Sequence, residues 1–303
     1  MKRFLLILFF SSLGSLSASD YLTIEKQNDE MDKAIYKPPL HNQEEINSEV
    51  ARIAIETYKN INENWTYVQA DKRGSIESSY WRWEILSLGS HHVPTAVFQG
   101  EAISQLFPAL KDIVLRKASL ECLTAGKAVR SIALAKILGK NSFMTYVDQL
   151  FFEKSLELFS PGLYNQLPYG KGIGEKPFYQ PTCKREKGHF VYITNIPDYS
   201  NIVDDGASRG QNVVCVGNNQ YIGFGERFKD GPLSEEQIAE NFYTDLGKHA
   251  EFHKRYPTKD SYLEARLKHQ KAFDASYQYG YFNADLIKKF LNRNGEFEDT
   301  FSS

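Results

Sequence analysis

The chain has 303 residues, and its 36 Lys and Arg against 38 Asp and Glu leave a formal net charge of -2 with both signs interleaved. That balance gives neither a polyanion nor an anionic membrane surface an electrostatic hold, so nucleic acid is not an expected partner. Cys122, Cys183 and Cys215 are too few for a disulfide framework, and an odd number leaves at least one thiol free even in an oxidising compartment.

Residues 1–19 read as a secretory signal: Lys2 and Arg3, an apolar block from Phe4 to Phe10, then small residues at Ser17-Ala18-Ser19. The expectation is export, periplasmic or secreted, with no stable membrane insertion once the signal is cleaved, because no later stretch is long and uncharged enough to span. Residues 20–45, polar and carrying Lys37-Pro38-Pro39, read as a flexible leader. Residues 46–303 then form a single domain with a helical C-terminal extension.

Within it, Ser48 to Lys59 sets Val50, Ile53 and Tyr58 at helical spacing, a packing helix. Trp65, Tyr67, Tyr80, Trp81 and Trp83 form an aromatic cluster that either lines a groove beside Arg82 or, more commonly for such stretches, packs as core and strand. His91-His92 reads as a solvated loop, since neighbouring rings cannot easily share one metal. Ala96 to Leu115 has helical spacing interrupted at Pro108, which makes the N-terminal half mainly helical.

Ser119 is a candidate N-cap for an apolar helix running to Gly139, with Lys127, Arg130 and Lys136 as its charges. Cys122 then falls in the first turn, where unpaired backbone N–H groups and the helix dipole favour a thiolate. The plain alternative is a small hydrophobe opening a core helix. Phe143 to Leu158 reads as another amphipathic helix. Gly170-Lys171-Gly172-Ile173-Gly174 has the wrong spacing for a phosphate cradle and reads as a mobile loop near a site.

From His189 the pattern becomes strands: His189 to Thr194, then a hairpin from Asn212 to Phe224 around Gly217-Asn218-Asn219. Cys215, between valines, reads as a packed thiol. Its pairing with Cys183 would leave Cys122 as the free thiol. Leu233 to Phe290 is mainly helical and charged. His249 and His253 have an i, i+4 spacing, but Lys248, Lys254 and Arg255 crowd them, so a surface helix is expected and no metal site.

Three segments, in order, resemble the small calcium-independent transglutaminase of bacterial endospore coats, a protein-glutamine gamma-glutamyltransferase. Ser79-Tyr80-Trp81-Arg82 is similar to that family's Tyr-Trp-Arg, and Leu120-Glu121-Cys122-Leu123-Thr124-Ala125 to its Phe-Glu-Cys-Ala-Thr-Ala. The run from Gly188 to Tyr199 and the run Arg209-Gly210-Gln211-Asn212-Val213 resemble its strand, Asn-Pro-Glu-Phe turn and following strand. Asp198 replaces the turn's Glu, Ile196 separates Asn195 from Pro197, Phe224 stands where the family has a His, and the tail beyond Gly225 is longer.

The resemblance implies an α+β, papain-like fold with the cysteine helix packed on an antiparallel sheet. It implies Cys122 as nucleophile, Asp198 as its acidic partner and Glu121 in support, with no cofactor and with protein substrates carrying glutamine and lysine. Tyr80, Trp81 and Trp83 are the candidate substrate-binding walls that exclude water from a thioester. Ordinary Cys and Asp pKa values lie about 4.6 apart, roughly 6 kcal/mol against passing the thiol proton to the carboxylate. The site is therefore expected to bring a partly buried Asp198 within reach of Cys122, its carboxyl raised by burial. The rival is an exported papain-like cysteine amidase, peptidase or glutamine deamidase with His189 as base. A binding or structural protein with a merely packed Cys122 is the other.

Overall fold

The computed structural model describes residues 42–67, 74–88, 91–99, 105–120, 122–151, 178–203, 208–276 and 279–292. The signal and most of the leader fall outside these, as do Glu121 and the glycine-rich run 170–174.

Helix α1 (Gln43–Asn64) starts earlier than Ser48 because Asn42 and Glu45 form a capping box: Asn42 Oδ1 accepts the Glu45 N–H at 2.9 Å and Glu45 Oε2 accepts the Asn42 N–H at 3.3 Å. Its buried stripe runs through Ile46, Val50, Ile53, Tyr58 and Ile61, and Arg52 spans Glu49 and Glu56 on the wet side. The N-terminal half holds more strand than its helical spacing suggests. Strand β1 (Trp65–Tyr67) runs parallel to β5 (Ala118–Leu120), with β2 (Ser75–Ile76) antiparallel on the other side of β5. Strands β3 (Trp81–Leu88) and β4 (His91–Phe98) form an antiparallel pair. His91-His92 thus opens a strand instead of forming a loop, and Ala96 is a strand residue.

Pro108 does not interrupt α2 (Leu106–Leu115), because it sits in the first turn, where its missing N–H has no carbonyl to serve. Helix α3 (Cys122–Leu138) is buried almost all round from Thr124 to Leu138, as its small and aliphatic composition requires. Gly139 ends it at φ +75°, a left-handed position that suits glycine, and α4 (Lys140–Phe151) follows.

The six-stranded sheet has the order β10-β9-β8-β7-β11-β6, every neighbouring pair antiparallel. Its members are β6 (Tyr179–Thr182), β7 (Phe190–Thr194), β8 (Gly210–Gly217), β9 (Gln220–Gly223), β10 (Leu233–Ser234) and β11 (Tyr279–Phe282). The β8–β9 hairpin turns through Asn218 (φ 51°) and Asn219 (φ 54°), positive angles that asparagine tolerates. Phe190, Tyr192 and Thr194 share one face with Asn212 and Val214, the face against which α1 and α3 pack. Val191, Ile193, Val213 and Cys215 point the other way.

The C-terminal part comprises α5 (Glu235–Leu246), α6 (Ala250–Arg255), α7 (Lys259–Ser276) and α8 (Ala284–Asn292), with β11 inserted into the sheet between the last two. Where β11 leaves the edge of β7 open, α7 covers it. Gln270 accepts the Thr194 N–H at 2.7 Å and donates to the Tyr192 carbonyl at 3.3 Å, and Arg266 donates to the Thr194 carbonyl at 3.2 Å. The architecture is α+β. No helix among the described residues is long and apolar enough to cross a membrane.

Candidate active site

Cys122 is the first residue of α3, two positions beyond the end of β5. Ser119 is no cap: it lies in β5, its hydroxyl 2.7 Å from that of Thr66. The thiol nevertheless occupies the first turn, as its sequence position predicts. It is half-buried, and Asn212 Nδ2 donates to its sulfur at 3.6 Å from mid-strand β8. An amide donor aimed at sulfur favours the anion over the thiol.

One turn along the same helix face comes Gly126. A Cβ there would meet Tyr58 Oη at 3.7 Å and Asn212 Cβ at 4.0 Å. The face of α3 bearing Cys122 and Gly126 is therefore turned toward α1 and β8 together. Burial pushes the Tyr58 hydroxyl well above its ordinary pKa, with Arg130 opposing and Cys122 adding to the shift, so it stays protonated. Arg130 lies over the rings of Phe190 and Tyr179, at 4.9 and 5.4 Å.

Asp198 sits on the turn after β7, its side chain 24% exposed. The turn is fixed by Asn195, which is fully buried: Nδ2 donates to the Ser208 carbonyl at 2.8 Å, and Oδ1 accepts the Ile196 N–H at 2.9 Å and the Tyr262 hydroxyl at 3.0 Å. Ile196, the residue between Asn195 and Pro197, goes into the core. Both Asp198 oxygens are engaged by α6 and the residue after it: Tyr256 Oη donates to Oδ1 at 2.8 Å and Arg255 Nη1 to Oδ2 at 2.7 Å. Cys122 is not among its side-chain partners. Burial alone would raise the carboxyl, but the hydrogen bonds from Tyr256, Arg255 and the backbone outweigh it and hold the group below its ordinary value. The expected upward shift is thus reversed. The reason is two donors that lie far along the chain and that no motif marks.

Trp81 is a core side chain, 1% exposed, with its indole N–H donated to the Ala109 carbonyl at 2.7 Å and an edge contact to Phe98 at 5.5 Å. It cannot serve as a solvent-facing wall without moving. Trp83 and Tyr80 are half-buried.

His189 stacks on Tyr281 at 4.9 Å, and Nδ1 lies 3.0 Å from the Lys184 carbonyl. His249 precedes α6 as its N-cap residue and His253 Nε2 lies 2.9 Å from the Gly247 carbonyl, so the two do not share a helix face. All three cysteines are free thiols, Cys183 exposed and Cys215 buried as expected, and a Cys183–Cys215 bridge is not formed.

The residues that sequence reasoning missed are Asn212 as a donor to the sulfur, Tyr58 facing Gly126, and the Arg255–Tyr256 pair on Asp198.

The sequence matches no protein-family model and no curated protein. Among solved structures, the chain is similar to a transglutaminase from Geobacillus stearothermophilus without its C-terminal extension, at 14% identity and a TM-score of 0.45, covering 80% of this chain and 93% of that one.

Proposed function

We propose that this chain is an exported thiol acyltransferase of the transglutaminase kind, with a papain-like catalytic core in which Cys122 is the nucleophile. The observation that carries the reading is a half-buried thiol at the first position of a buried helix with the Asn212 amide on its sulfur.

In this reading the Cys122 thiolate attacks the carboxamide carbon of a protein glutamine. The carbonyl oxygen becomes an oxyanion facing the backbone N–H groups of the first turn of α3, and the carboxamide nitrogen takes a proton and leaves as ammonia. A lysine ε-amine then attacks the thioester, loses a proton and releases the thiolate. The product is an isopeptide bond. Asp198, held ionised by Arg255 and Tyr256, is a poor acceptor for a thiol proton. It suits the second half of the cycle, where an ionised carboxylate attracts and orients the incoming lysine amine. Glu121 is assigned the supporting role, and Trp83 and Tyr80 the water-excluding walls.

Monodansylcadaverine incorporation into casein tests this directly: the parent incorporates the amine and Cys122→Ser does not. Ammonia release from casein without incorporation would move the assignment to a glutamine deamidase.

A further inference from the structure

Two features of the fold coincide one turn beyond Cys122, and each works against stability. Tyr58 is 1% exposed, yet no described residue hydrogen-bonds its hydroxyl. Burying a donor without a partner is costly to the folded state. Gly126, buried inside α3, gives up the helix propensity that an alanine would supply. Packing does not demand the glycine: among the described residues outside its own helix, a Cβ there would meet only Tyr58 Oη at 3.7 Å and Asn212 Cβ at 4.0 Å, both ordinary van der Waals contacts. A gap is therefore left open opposite the Tyr58 hydroxyl where an alanine would fit.

That gap borders the thiol. The Cβ positions of a helix tilt toward its N-terminus, so a group touching the Cβ position of Gly126 lies over the turn that Cys122 opens. Residues 122 and 126, four apart, are neighbours on one helix face. Asn212 ties the two together, its Cβ beside the Gly126 position and its Nδ2 3.6 Å from the Cys122 sulfur. Tyr58 is held in place by α1, which is fastened to the sheet one turn further on: Asn62, itself buried, donates Nδ2 to the Gly223 carbonyl at 3.1 Å and accepts the Gly225 N–H at 2.9 Å. A rigidly placed donor thus faces the helix side that carries the nucleophile.

We propose that Tyr58 is a further catalytic residue, whose hydroxyl donates to the acyl oxygen of the substrate carboxamide in the gap that Gly126 leaves open. The proposal rests on Cys122 being the nucleophile. As the sulfur–carbon bond forms, the π pair of the carbonyl moves onto its oxygen, and the hydrogen bond from Tyr58 strengthens with the growing charge. The phenolic proton stays on Tyr58 throughout. The backbone N–H groups of the first turn of α3 are the other donors to the same oxygen.

Two reagents separate this role from an effect on the sulfur. Acetylation by p-nitrophenyl acetate passes through a tetrahedral oxyanion, whereas iodoacetamide alkylates by direct displacement and forms none. Mass spectrometry of the Cys122 peptide reads both in the full chain. Tyr58→Phe removes one oxygen atom; it should slow acetylation by about 10²-fold and leave alkylation within about twofold of the parent. Its thermal midpoint should not fall, because the hydroxyl lost has no described partner. Gly126→Ala keeps the hydroxyl and fills the gap, so acetylation should fall in a protein at least as stable as the parent. A merely structural tyrosine predicts the reverse, a lower thermal midpoint with both rates unmoved. Acetylation that survives Tyr58→Phe or a folded Gly126→Ala, or alkylation that falls as far as acetylation, overturns the proposal. If Gly126→Ala unfolds, Tyr58→Phe decides alone. If the Tyr58 effect appears in a protein that incorporates no amine, the transglutaminase reading fails and this one stands. A parent whose Cys122 reacts with neither reagent ends both.

Discussion

Cys122 and His189 lie on opposite faces of the six-stranded sheet. Asn212, which reaches the Cys122 sulfur, shares its face with Phe190 and Tyr192, whereas His189 is the cross-strand neighbour of Tyr281 on the face of Cys215. A Cys–His catalytic pair requires hydrogen-bond reach, so a hydrolase with His189 as base has no geometry here. His189→Ala is expected to leave Cys122 alkylation and amine incorporation close to the parent's, although it costs stability.

His189 should instead appear in the pH dependence of stability. Burial pushes its ring below the ordinary value of 6.5, opposed by the Lys184 carbonyl and Glu186. The unfolded ring therefore takes up a proton before the folded one, and stability present above pH 6.5 is lost as pH falls through that value toward the folded pKa. Thermal midpoints at pH 7.5 and 5.5 should drop further in the parent than in His189→Gln.

Asp198 titrates lower. Its folded carboxyl lies below the ordinary 3.8, so the stability it contributes is complete above that value and is lost as pH falls through the folded pKa. Asp198→Asn should destabilise at pH 7, with the gap from the parent closing in strongly acid solution. Tyr256, pushed up to about 12 by burial and by Asp198, keeps its proton throughout and remains a donor. A larger loss in amine incorporation than in Cys122 alkylation would place Asp198 in the lysine step. Equal losses in both would tie it to the thiol.

Trp81 and Trp83 are adjacent in pattern and differ in what surrounds them. Trp81→Ala empties a closed core site and should cost about 3–5 kcal/mol in chemical denaturation. Trp83, half-buried, packs over Gly74, where a Cβ would come within 2.2 Å of its Nε1 and 2.4 Å of the Ser119 carbonyl oxygen. Gly74→Ala should therefore destabilise by displacing Trp83 or β5, even though an alanine adds a single carbon.

These contrasts show what the chain discloses locally. The buried helix after Cys122, the Asn218-Asn219 hairpin and the packed Cys215 are short-range patterns, and each folds as its residues indicate. The Asn42–Glu45 capping box was equally legible but lies within a polar stretch that otherwise resembles a linker. Strands β3 and β4 were harder, because Ala96 also fits a helical period and pairing with Trp83 decides the matter. Arg255 and Tyr256 reach Asp198 from 57 and 58 residues away, inside a charged stretch whose local pattern specifies only a surface helix.

Asn212 offers the most local test of the thiol. Its Nδ2 group is the described donor on the Cys122 sulfur, and a hydrogen bond to a charged acceptor contributes about 1.5–3 kcal/mol. Asn212→Ala should slow Cys122 alkylation at pH 7 by roughly tenfold, through a smaller thiolate fraction. Asn212→Asp keeps the shape while replacing the donor with an anion, so like-charge repulsion should raise the thiol midpoint further than alanine does. Because the aspartate fills the same space, its excess over alanine isolates charge from packing. An Asn212→Asp variant that alkylates as fast as the parent would show that the amide donor does not set the state of the sulfur.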